Sequence, residues 1–270
     1  MLFKKLVSTL GVIALCFNAL MASAEAKDSF RLPVIKTPAD VKKLKDLDKG
    51  ETALGLENLK KIPPTDGWYI LGSDPDLQAF WQIWERHLLA LLSPDMQAVP
   101  FSPINLMAHE VARISENDYL IGIFRQLTAV NIADFNKTNP DEDYTKLGLL
   151  EYPDSQVWSA EERLALKFTQ ATLENSMTDE LFQEARNTWG DKMTLRYISW
   201  IGYVYQWAIL ENVLGMTFVP ETMSFPKGSL SPEVVDTIVK KIEPTKYQVR
   251  EFWNSLFEFE FHEEPGKKDH

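Results

Sequence analysis

The chain has 270 residues, one cysteine and a formal net charge of −11, and 45% of its residues are hydrophobic. Eight Trp and fifteen Phe residues supply enough apolar surface for a packed core and argue against a disordered chain. Nucleic acid and anionic membrane surfaces repel a chain this acidic, so the composition disfavours both as partners.

The N-terminal residues follow the order of a secretory signal peptide. Lys4 and Lys5 precede an apolar run that ends near Leu20, and Ala22-Ser23-Ala24 then offers a small-residue cleavage site. The run is shorter than the roughly 20 residues that a stable membrane-spanning helix requires. We therefore predict that residues 1–24 are a signal peptide, and that the protein is exported, with the bacterial periplasm as its compartment.

Cleavage after Ala24 removes Cys16, the only cysteine of the chain. The expected mature chain has about 246 residues (270 minus 24), and its charge becomes about −13 because two lysines leave with the signal. Such a chain has no disulfide, no thiolate metal site and no cysteine nucleophile. It is nevertheless long enough to bury a stable core without cross-links.

Residues 25–65 are polar and rich in lysine, and they end at the pair Pro63-Pro64. Their pattern predicts one or two short helices without a strong apolar face. We expect an N-terminal arm or linker, extended or loosely packed, ahead of a helical domain at residues 66–218.

The first strong helix of that domain starts at Ser73 or Asp74, with Pro75 in its first turn. It ends at the break Ser93-Pro94-Asp95. Apolar residues recur along it at steps of three and four: Leu77, Phe80, Trp81, Trp84, Leu88 and Leu91.

Two further helices are predicted at about 102–114 and 116–130, because both segments are dense in Leu, Ile, Val and Ala. The following segment, 136–155, contains Asn, Pro, Asp and Gly and is predicted to be a loop with about one helical turn.

The second half of the domain has clear helix boundaries. Ser159-x-x-Glu162 is a capping box, and its helix carries the stripe Leu164, Phe168, Ala171 and Thr172. A shorter helix is predicted from a cap at Thr178 to a stop at Gly190. A long helix then ends near Gly215, and the residues that follow helical spacing along it are Leu195, Ile198, Gly202, Tyr205 and Ile209.

No alternating run of strand type occurs between residues 66 and 215, so the pattern predicts an all-α fold. Prolines 220, 226 and 232 punctuate a C-terminal helical extension at 219–262, with helices near 232–242 and 247–259. Residues 263–270 are predicted to be a disordered tail.

Three stretches together resemble the carboxymuconolactone decarboxylase family, which includes the alkylhydroperoxidase D-like (AhpD-like) proteins. They are "SDPDLQAFWQIWERHLLALL", "NLMAHEVARISENDYLIGIFRQ" and the segment from "WSAEERLALKF" to "ENVLGM". The resemblance covers about Asp74 to Met216 and is most specific in its second half. It implies an AhpD-like helical bundle and a homo-oligomer, a dimer, trimer or hexamer, formed by helix packing.

In the thiol peroxidase branch of that family, a central helix carries Cys-x-x-Cys-x-x-x-His, with a Glu twelve residues before the first cysteine. One thiolate attacks the peroxide and the second resolves the sulfenic acid, while Glu and His relay protons. When "ENDYLIGIFRQ" is aligned with this pattern, the cysteine positions become Asn117 and Leu120, and the histidine position becomes Phe124. The glutamate position becomes Asn105, so the resemblance implies the fold without the thiol chemistry.

The decarboxylase-like branch places Trp and His on the same helix, where imidazole serves as an acid or a base. This chain has Ile121, Ile123 and Phe124 in those places. The resemblance therefore supports neither activity of the family.

Histidines offer a weaker hypothesis of metal binding. His109-Glu110 begins like a zinc-protease motif, but Arg113 stands where the second histidine is needed. His87 would complete a metal site only by meeting His109 or Glu110 across a helix pair. We favour polar contacts at the helix surface or near an oligomer interface, and we predict no metal and no cofactor.

Asn117, Asp118, Tyr119 and Arg125 are the polar residues of the segment that lines the family's pocket. Tyr119 is placed to donate a hydrogen bond to a ligand, and Arg125 to bind a carboxylate. The structural alternative packs Tyr119 in the core and pairs Arg125 with an acidic neighbour. A dense aromatic set has the same two interpretations, an apolar pocket or a helical core: Trp81, Trp84, Trp200, Tyr203, Tyr205 and Trp207.

The leading hypothesis is a binding or assembly protein with a small apolar or carboxylate ligand. The alternative is a cysteine-independent lyase, decarboxylase or hydrolase acting on a small carboxylic acid through Tyr119, Arg125 and His109. Convergence of those three on an open pocket favours the enzyme, whereas a pocket closed by Leu120 and Phe124 favours binding or a structural role. An assembly subunit is expected to show a large apolar face on the first or last helices of the domain.

Overall fold

A computed structural model of the chain describes residues 30–63, 65–93, 95–97, 100–135, 144–219, 228 and 230–257. These residues form helices and connecting turns and contain no strand, which confirms the all-α prediction. The predicted signal peptide and the predicted tail lie outside the described residues. None of the helices in these ranges is both long enough and apolar enough to cross a lipid bilayer.

The helices are given in chain order, and two 3₁₀ turns at Asp95–Gln97 and Tyr144–Leu149 lie between them. They are α1 (Pro38–Val41), α2 (Lys49–Asn58), α3 (Asp66–Leu71), α4 (Pro75–Leu91), α5 (Pro103–Ile114), α6 (Asp118–Phe135), α7 (Ala160–Leu173), α8 (Asp179–Leu214), α9 (Pro232–Ile242) and α10 (Thr245–Phe257).

Local side-chain chemistry sets several of these boundaries, as the sequence predicts. Asp74 accepts a hydrogen bond from the Leu77 backbone N–H at 2.9 Å and begins α4. The capping box at Ser159 begins α7. Gly190 has φ 75° and breaks α8 into two segments, and Gly215, with φ 68°, ends the second one.

The central helix of the bundle is α5, which packs against α6, α7 and α8. Its buried residues include Leu106, Met107 and Val111, which are completely covered. Because α5 is enclosed on several sides, even its polar side chains lie inside the protein. The α6 helix starts beside it and also faces α8, so the segment that resembles the family's redox helix is at the centre of the fold.

The outward face of α8 differs from the prediction. Leu195, Gly202, Tyr205 and Ile209 follow helical spacing, yet they are exposed, with Leu195 64% accessible. The buried face is instead the aromatic one, which includes Trp200, Tyr203 and Trp207. Both faces of this helix are apolar, and the face with the larger rings buries more surface.

The predicted stripe of α4 is also only partly buried. Trp81 and Leu88 are buried as expected, whereas Leu77 and Phe80 are exposed. Gln78 lies inside instead, because its amide donates to the Trp68 carbonyl oxygen at 2.7 Å. A side-chain amide that donates to a backbone carbonyl can occupy a buried position of a helix.

Residues 30–58 pack more closely than an extended or loosely packed arm. Ile35 and Val41 are 2% and 1% exposed. The Asn58 amide donates to the Pro75 carbonyl oxygen at 2.9 Å, and the Arg31 backbone N–H donates to the Leu214 carbonyl oxygen at 3.0 Å. The two predicted short helices are present, but isolated apolar residues rather than a stripe attach them to the bundle.

Candidate functional site

The start of α6 is fixed by Asn117, one of the residues that the sequence resemblance aligns with a cysteine of the thiol peroxidases. Its Oδ1 accepts a hydrogen bond from the Leu120 backbone N–H at 2.7 Å. Its amide nitrogen donates to the Ala208 carbonyl oxygen and to Asn212 Oδ1, both at 3.1 Å. Asn117 therefore caps α6 and ties it to α8, which is a structural role.

The other three residues that the resemblance aligns with reactive positions, Leu120, Phe124 and Asn105, do not form a polar cluster. Leu120 is 4% exposed, and it lines a cavity together with Phe124. Asn105 donates to the Pro100 carbonyl oxygen at 3.1 Å, at the start of α5. The four residues therefore do not provide a proton relay of the kind that the thiol mechanism uses.

The cavity beside Leu120 and Phe124 has a volume of about 240 Å³ and lies among α3, α4, α6 and α8. An apolar cavity of about 150 Å³ is large enough to bind benzene. Its wall is mainly aromatic, and we call it the aromatic cavity. The rings in the wall are Trp68, Tyr119, Phe124, Trp200, Tyr203 and Trp207.

Contacts between rings hold this wall in place. The Trp207 ring packs edge-on against Trp81 at 4.4 Å and against Trp68 at 5.3 Å between centroids. Trp200 stacks on Tyr203 at 5.7 Å, and its indole N–H donates to the Ile104 carbonyl oxygen at 2.8 Å. These residues therefore form part of the core and also line a pocket, so both interpretations of the aromatic set apply.

Tyr205, the remaining member of α8 in that set, is 41% exposed. It lies on the outward face of the helix and does not line the cavity. On the other side of the cavity, Pro63 is exposed and Thr65, Ile123 and Leu127 are half-buried. We therefore place the entrance at these residues.

Glu211 of α8 faces the aromatic cavity and is only 2% exposed. Its Oε2 atom is buried and has no hydrogen-bond partner among the described residues. Burial raises the pKa of the Glu211 carboxyl well above its ordinary value, and the Asn117 amide opposes this shift only in part. The sequence pattern did not identify this residue, although an acidic residue four positions after Trp207 on an aromatic face is a usable signal.

Glu85 of α4 is a second carboxyl group in the same wall. Burial raises its pKa to about 7, and the Arg86 charge and the Tyr203 hydroxyl act in the opposite direction. The Tyr203 hydroxyl is buried and has no partner of good hydrogen-bond geometry within the described part of the chain. Among the described residues, the wall of the aromatic cavity contains no Lys, Arg or His. Neither glutamate therefore faces a cationic side chain from this part of the wall.

Tyr119 is 1% exposed, which confirms the prediction that it packs in the core. Its hydroxyl oxygen accepts a hydrogen bond from the Gly67 backbone N–H at 3.2 Å. Burial raises the pKa of the Tyr119 hydroxyl above its ordinary value. The group therefore stays protonated near neutral pH and is poorly suited to act as a base.

His109 and Arg125 line a different cavity of about 180 Å³, between α5, α6 and the second 3₁₀ turn. His109 Nε2 lies 2.7 Å from the Thr128 hydroxyl. Burial, assisted by the Arg125 charge, lowers the pKa of His109 to about 3, so the imidazole is neutral at physiological pH. Since Tyr119 lines the aromatic cavity, the three residues of the enzyme hypothesis do not converge.

The expectation that His109 and Glu110 make contacts at the surface is wrong, because their exposures are 4% and 0%. Glu110 forms a two-point ion pair with Arg113, at 2.6 and 2.9 Å, and accepts from the Gln170 amide at 2.7 Å. The polar contacts are present, but they lie inside because α5 is the central helix.

His87 does not approach His109 or Glu110. Its Nδ1 atom lies 3.3 Å from the Thr245 carbonyl oxygen, at the start of α10. The described part of the chain contains no group of three or more His, Cys, Asp or Glu side chains arranged to hold a metal ion.

Comparison with known proteins identified no similar family, protein or structure. No family model matches it, and the searches of curated proteins and of solved structures returned no match. The functional argument therefore depends on the geometry of the site.

Proposed function

We propose that this chain is an exported protein of the AhpD-like, carboxymuconolactone decarboxylase-like type that lacks thiol chemistry and binds a small apolar ligand. The sequence has no cysteine after Cys16. Asn117, Leu120, Phe124 and Asn105 stand at the positions of the family's reactive residues, and in this fold they cap a helix, line a cavity or bond to the backbone. The export and the family remain part of the proposal.

The observation that carries the proposal is the aromatic cavity itself. It is pre-formed by packed rings, and its volume of about 240 Å³ suits a ligand with one ring or a short branched chain. The two acidic groups and the absence of basic side chains in its wall disfavour a carboxylate ligand. Of the two predicted ligand types, the apolar one fits this wall.

The enzyme alternative has less support. Tyr119 lies in one cavity, whereas His109 and Arg125 line another. The lowered pKa of His109 also removes it as a proton donor near neutral pH. A cysteine-independent reaction on a carboxylic acid would need these groups to meet on one substrate.

Calorimetric titration of the purified mature protein with toluene tests the binding function. Val204 lines the aromatic cavity and is 2% exposed, so Val204→Phe fills part of the space that the ligand needs. We expect measurable binding by the wild type and its loss in this variant. Leu77→Phe is the control, because Leu77 is 43% exposed on α4 and does not line the cavity. Absence of toluene binding to the folded wild type would contradict the proposal.

A peroxide assay with a dithiol reductant tests the claimed absence of thiol chemistry. We expect turnover by the mature protein no faster than in a control without protein, because the chain after Cys16 offers no thiolate. Turnover clearly above that control would overturn this part of the proposal.

A second candidate function, assembly into a homo-oligomer, is favoured by the outward face of α8. Leu195, Ile209 and Val213 are 64%, 50% and 59% exposed on this face. Leu195 and Ile209 lie seven residues on either side of Gly202, and a Cβ atom at Gly202 would meet no other atom within 4 Å. A two-fold interface must be complementary to itself, and an antiparallel copy of α8 centred on Gly202 brings Leu195 and Ile209 together.

Light scattering coupled to gel filtration distinguishes this candidate. We expect a mass of at least two chains for the wild type and a single chain for Ile209→Asp, since an unpaired charge within an apolar interface opposes association. Tyr152→Asp is the control, because Tyr152 is 61% exposed but lies away from α8 in the sequence. A monomeric wild type would eliminate the assembly function and leave the ligand proposal unaffected.

A further inference from the structure

The wall of the aromatic cavity has an unusual combination of side chains. Six of its fifteen residues are aromatic, two are glutamates, and none is Lys, Arg or His. An apolar ligand alone needs neither glutamate. The two acidic groups therefore indicate the charge or polarity of the ligand, which the cavity volume alone does not.

Glu211 provides the most specific observation. The residue is 2% exposed and lines the cavity, and its buried Oε2 atom has no hydrogen-bond partner among the described residues. Native proteins rarely leave a buried polar atom unpaired, and a bound ligand is one way in which such an atom becomes satisfied. The buried Tyr203 hydroxyl in the same wall has no partner of good geometry either.

Two classes of ligand can satisfy Glu211. A neutral ligand with a hydrogen-bond acceptor would use the protonated acid as a donor. An organic cation would use the ionised carboxylate, and it would also interact with the ring faces, which are negative at their centres. Only the cation uses both the acids and the aromatic rings, and the wall contains no competing cationic side chain.

We propose that the aromatic cavity binds an alkyl- or arylammonium ion, held against the Trp200, Tyr203 and Trp207 rings and neutralised by Glu211 and Glu85. This inference rests on the proposed binding function and specifies the ligand class of the same cavity. Quaternary ammonium groups are recognised by aromatic cages of this general kind.

Charged groups around the two acids come from each neighbouring helix. Asp66 of α3 forms an ion pair with Lys36 at 2.9 Å. Arg86 of α4 donates to the Lys61 carbonyl oxygen at 3.1 Å and does not line the cavity. Tyr119 of α6 and Tyr203 of α8 are the remaining titratable groups of the wall. A bound cation therefore becomes the main positive charge facing Glu211.

The sign of the pH dependence follows from this arrangement. Burial raises the pKa of Glu211 well above its ordinary value and that of Glu85 to about 7. A permanent cation binds best to the ionised carboxylates, so its affinity rises as the pH increases from 5 to 8. A neutral acceptor ligand shows the opposite trend, because it requires the protonated acid.

Calorimetric titration with choline and with 3,3-dimethyl-1-butanol tests the inference, since these probes differ mainly in the charge of one central atom. At pH 8 we expect choline to bind the wild type about tenfold more tightly than the alcohol. Glu211→Gln should weaken choline binding about tenfold, whereas Glu184→Gln, at an exposed position of the same helix that does not line the cavity, should leave choline binding unchanged. The pH series on the wild type provides the second measurement, independent of any variant.

The outcomes separate the inference from the function on which it rests. The proposed cationic ligand is contradicted if choline binds no more tightly than the alcohol, or if its affinity falls as the pH rises. In either case, toluene binding by the wild type would still support the cavity as a binding site. Failure of toluene, choline and the alcohol together overturns both. Choline binding that survives Glu211→Gln unchanged in the folded variant also overturns the assigned role of Glu211.

Discussion

Two carboxyl groups in this bundle are almost completely buried, and their surroundings are opposite. Glu110, at the contact of α5 with α7, is paired with Arg113 at two points and accepts a third hydrogen bond from Gln170. Glu211, at the contact of α8 with α3 and α6, has a buried oxygen without a partner among the described residues and faces an aromatic cavity. One region satisfies its buried acid internally, and the other does not.

The difference separates a structural role from a ligand-binding role. A buried charge with good geometry and complete hydrogen bonding is compatible with a stable core, and breaking its pair is costly. A buried acid without a cation destabilises the folded state whenever it ionises. Such a group beside a cavity is a candidate for contact with a ligand, and the following predictions test this distinction.

Loss of the cation at the paired site should have the largest effect. We expect Arg113→Met to lower the free energy of unfolding by about 3 kcal/mol, the low end for a broken buried pair, because the Arg113 side chain is 30% exposed. Urea denaturation measures this change. Lys167→Met breaks the exposed pair with Asp154 and should cost much less, because solvent screens such a pair. Equal losses of unfolding free energy in the two variants would show that the burial of Glu110 does not strengthen its ion pair.

The pH dependence of stability tests the wall of the aromatic cavity through Glu85. The pKa of Glu85 is raised from 4.5 to about 7, so the folded protein binds more protons than the unfolded chain between these values. Stability therefore falls as the pH rises through this window. We expect the wild type to lose on the order of 2 kcal/mol relative to Glu85→Gln between pH 4.5 and 7, measured by urea denaturation at several pH values.

An exposed glutamate provides the control for this pH series. Glu184 lies on the solvent side of α8, and Glu184→Gln should follow the wild type across the same range. A wild type that gains stability relative to Glu85→Gln as the pH rises would contradict the assigned sign.

Removal of the third hydrogen bond to Glu110 should have a smaller effect. Gln170 donates its amide to Glu110 Oε1 at 2.7 Å, and Gln170→Met leaves the ion pair with Arg113 in place. We expect a loss of about 1–2 kcal/mol in the free energy of unfolding. A double-mutant cycle with Arg113→Met should show coupling between the two sites. If the two losses of unfolding free energy were simply additive, Arg113 and Gln170 would stabilise the Glu110 carboxylate independently.

Glu211→Gln should have the smallest effect on stability, and its sign should be opposite. At pH 8 we expect a change between zero and a gain of about 1 kcal/mol, because a neutral amide removes the cost of a buried ionisable group. Thermal or urea denaturation at pH 8 measures it. A loss as large as that of Arg113→Met would place Glu211 with the structural carboxylates.

The helix boundaries could be predicted because the chemistry that sets them is local. Asp74 and Ser159 cap helices through residues three positions away, and Gly190 and Gly215 take conformations that other residues avoid. The all-α class follows from the same local patterns. Capping residues and glycines act within a few positions of a helix end, so a single sequence is enough to identify them.

The choice of buried face and the composition of the site could not be predicted in this way. Both sides of α8 are apolar, so the burial of Trp200 rather than Leu195 depends on which helices pack against it. Glu85 and Glu211 lie 126 positions apart (211 minus 85) and meet in one wall only after folding. Two interpretations of Tyr119 were open from the sequence, and its 1% exposure depends on the helices that pack around it after folding.

The most direct test of the account counts the protons released when choline binds. Titration calorimetry at pH 7 in two buffers of different ionisation enthalpy gives this number. We predict a net release in the wild type and a smaller release in Glu211→Gln, because a cation in the aromatic cavity favours ionised glutamates. Binding with no proton release, or with proton uptake, would contradict the claim that Glu211 and Glu85 serve a cationic ligand.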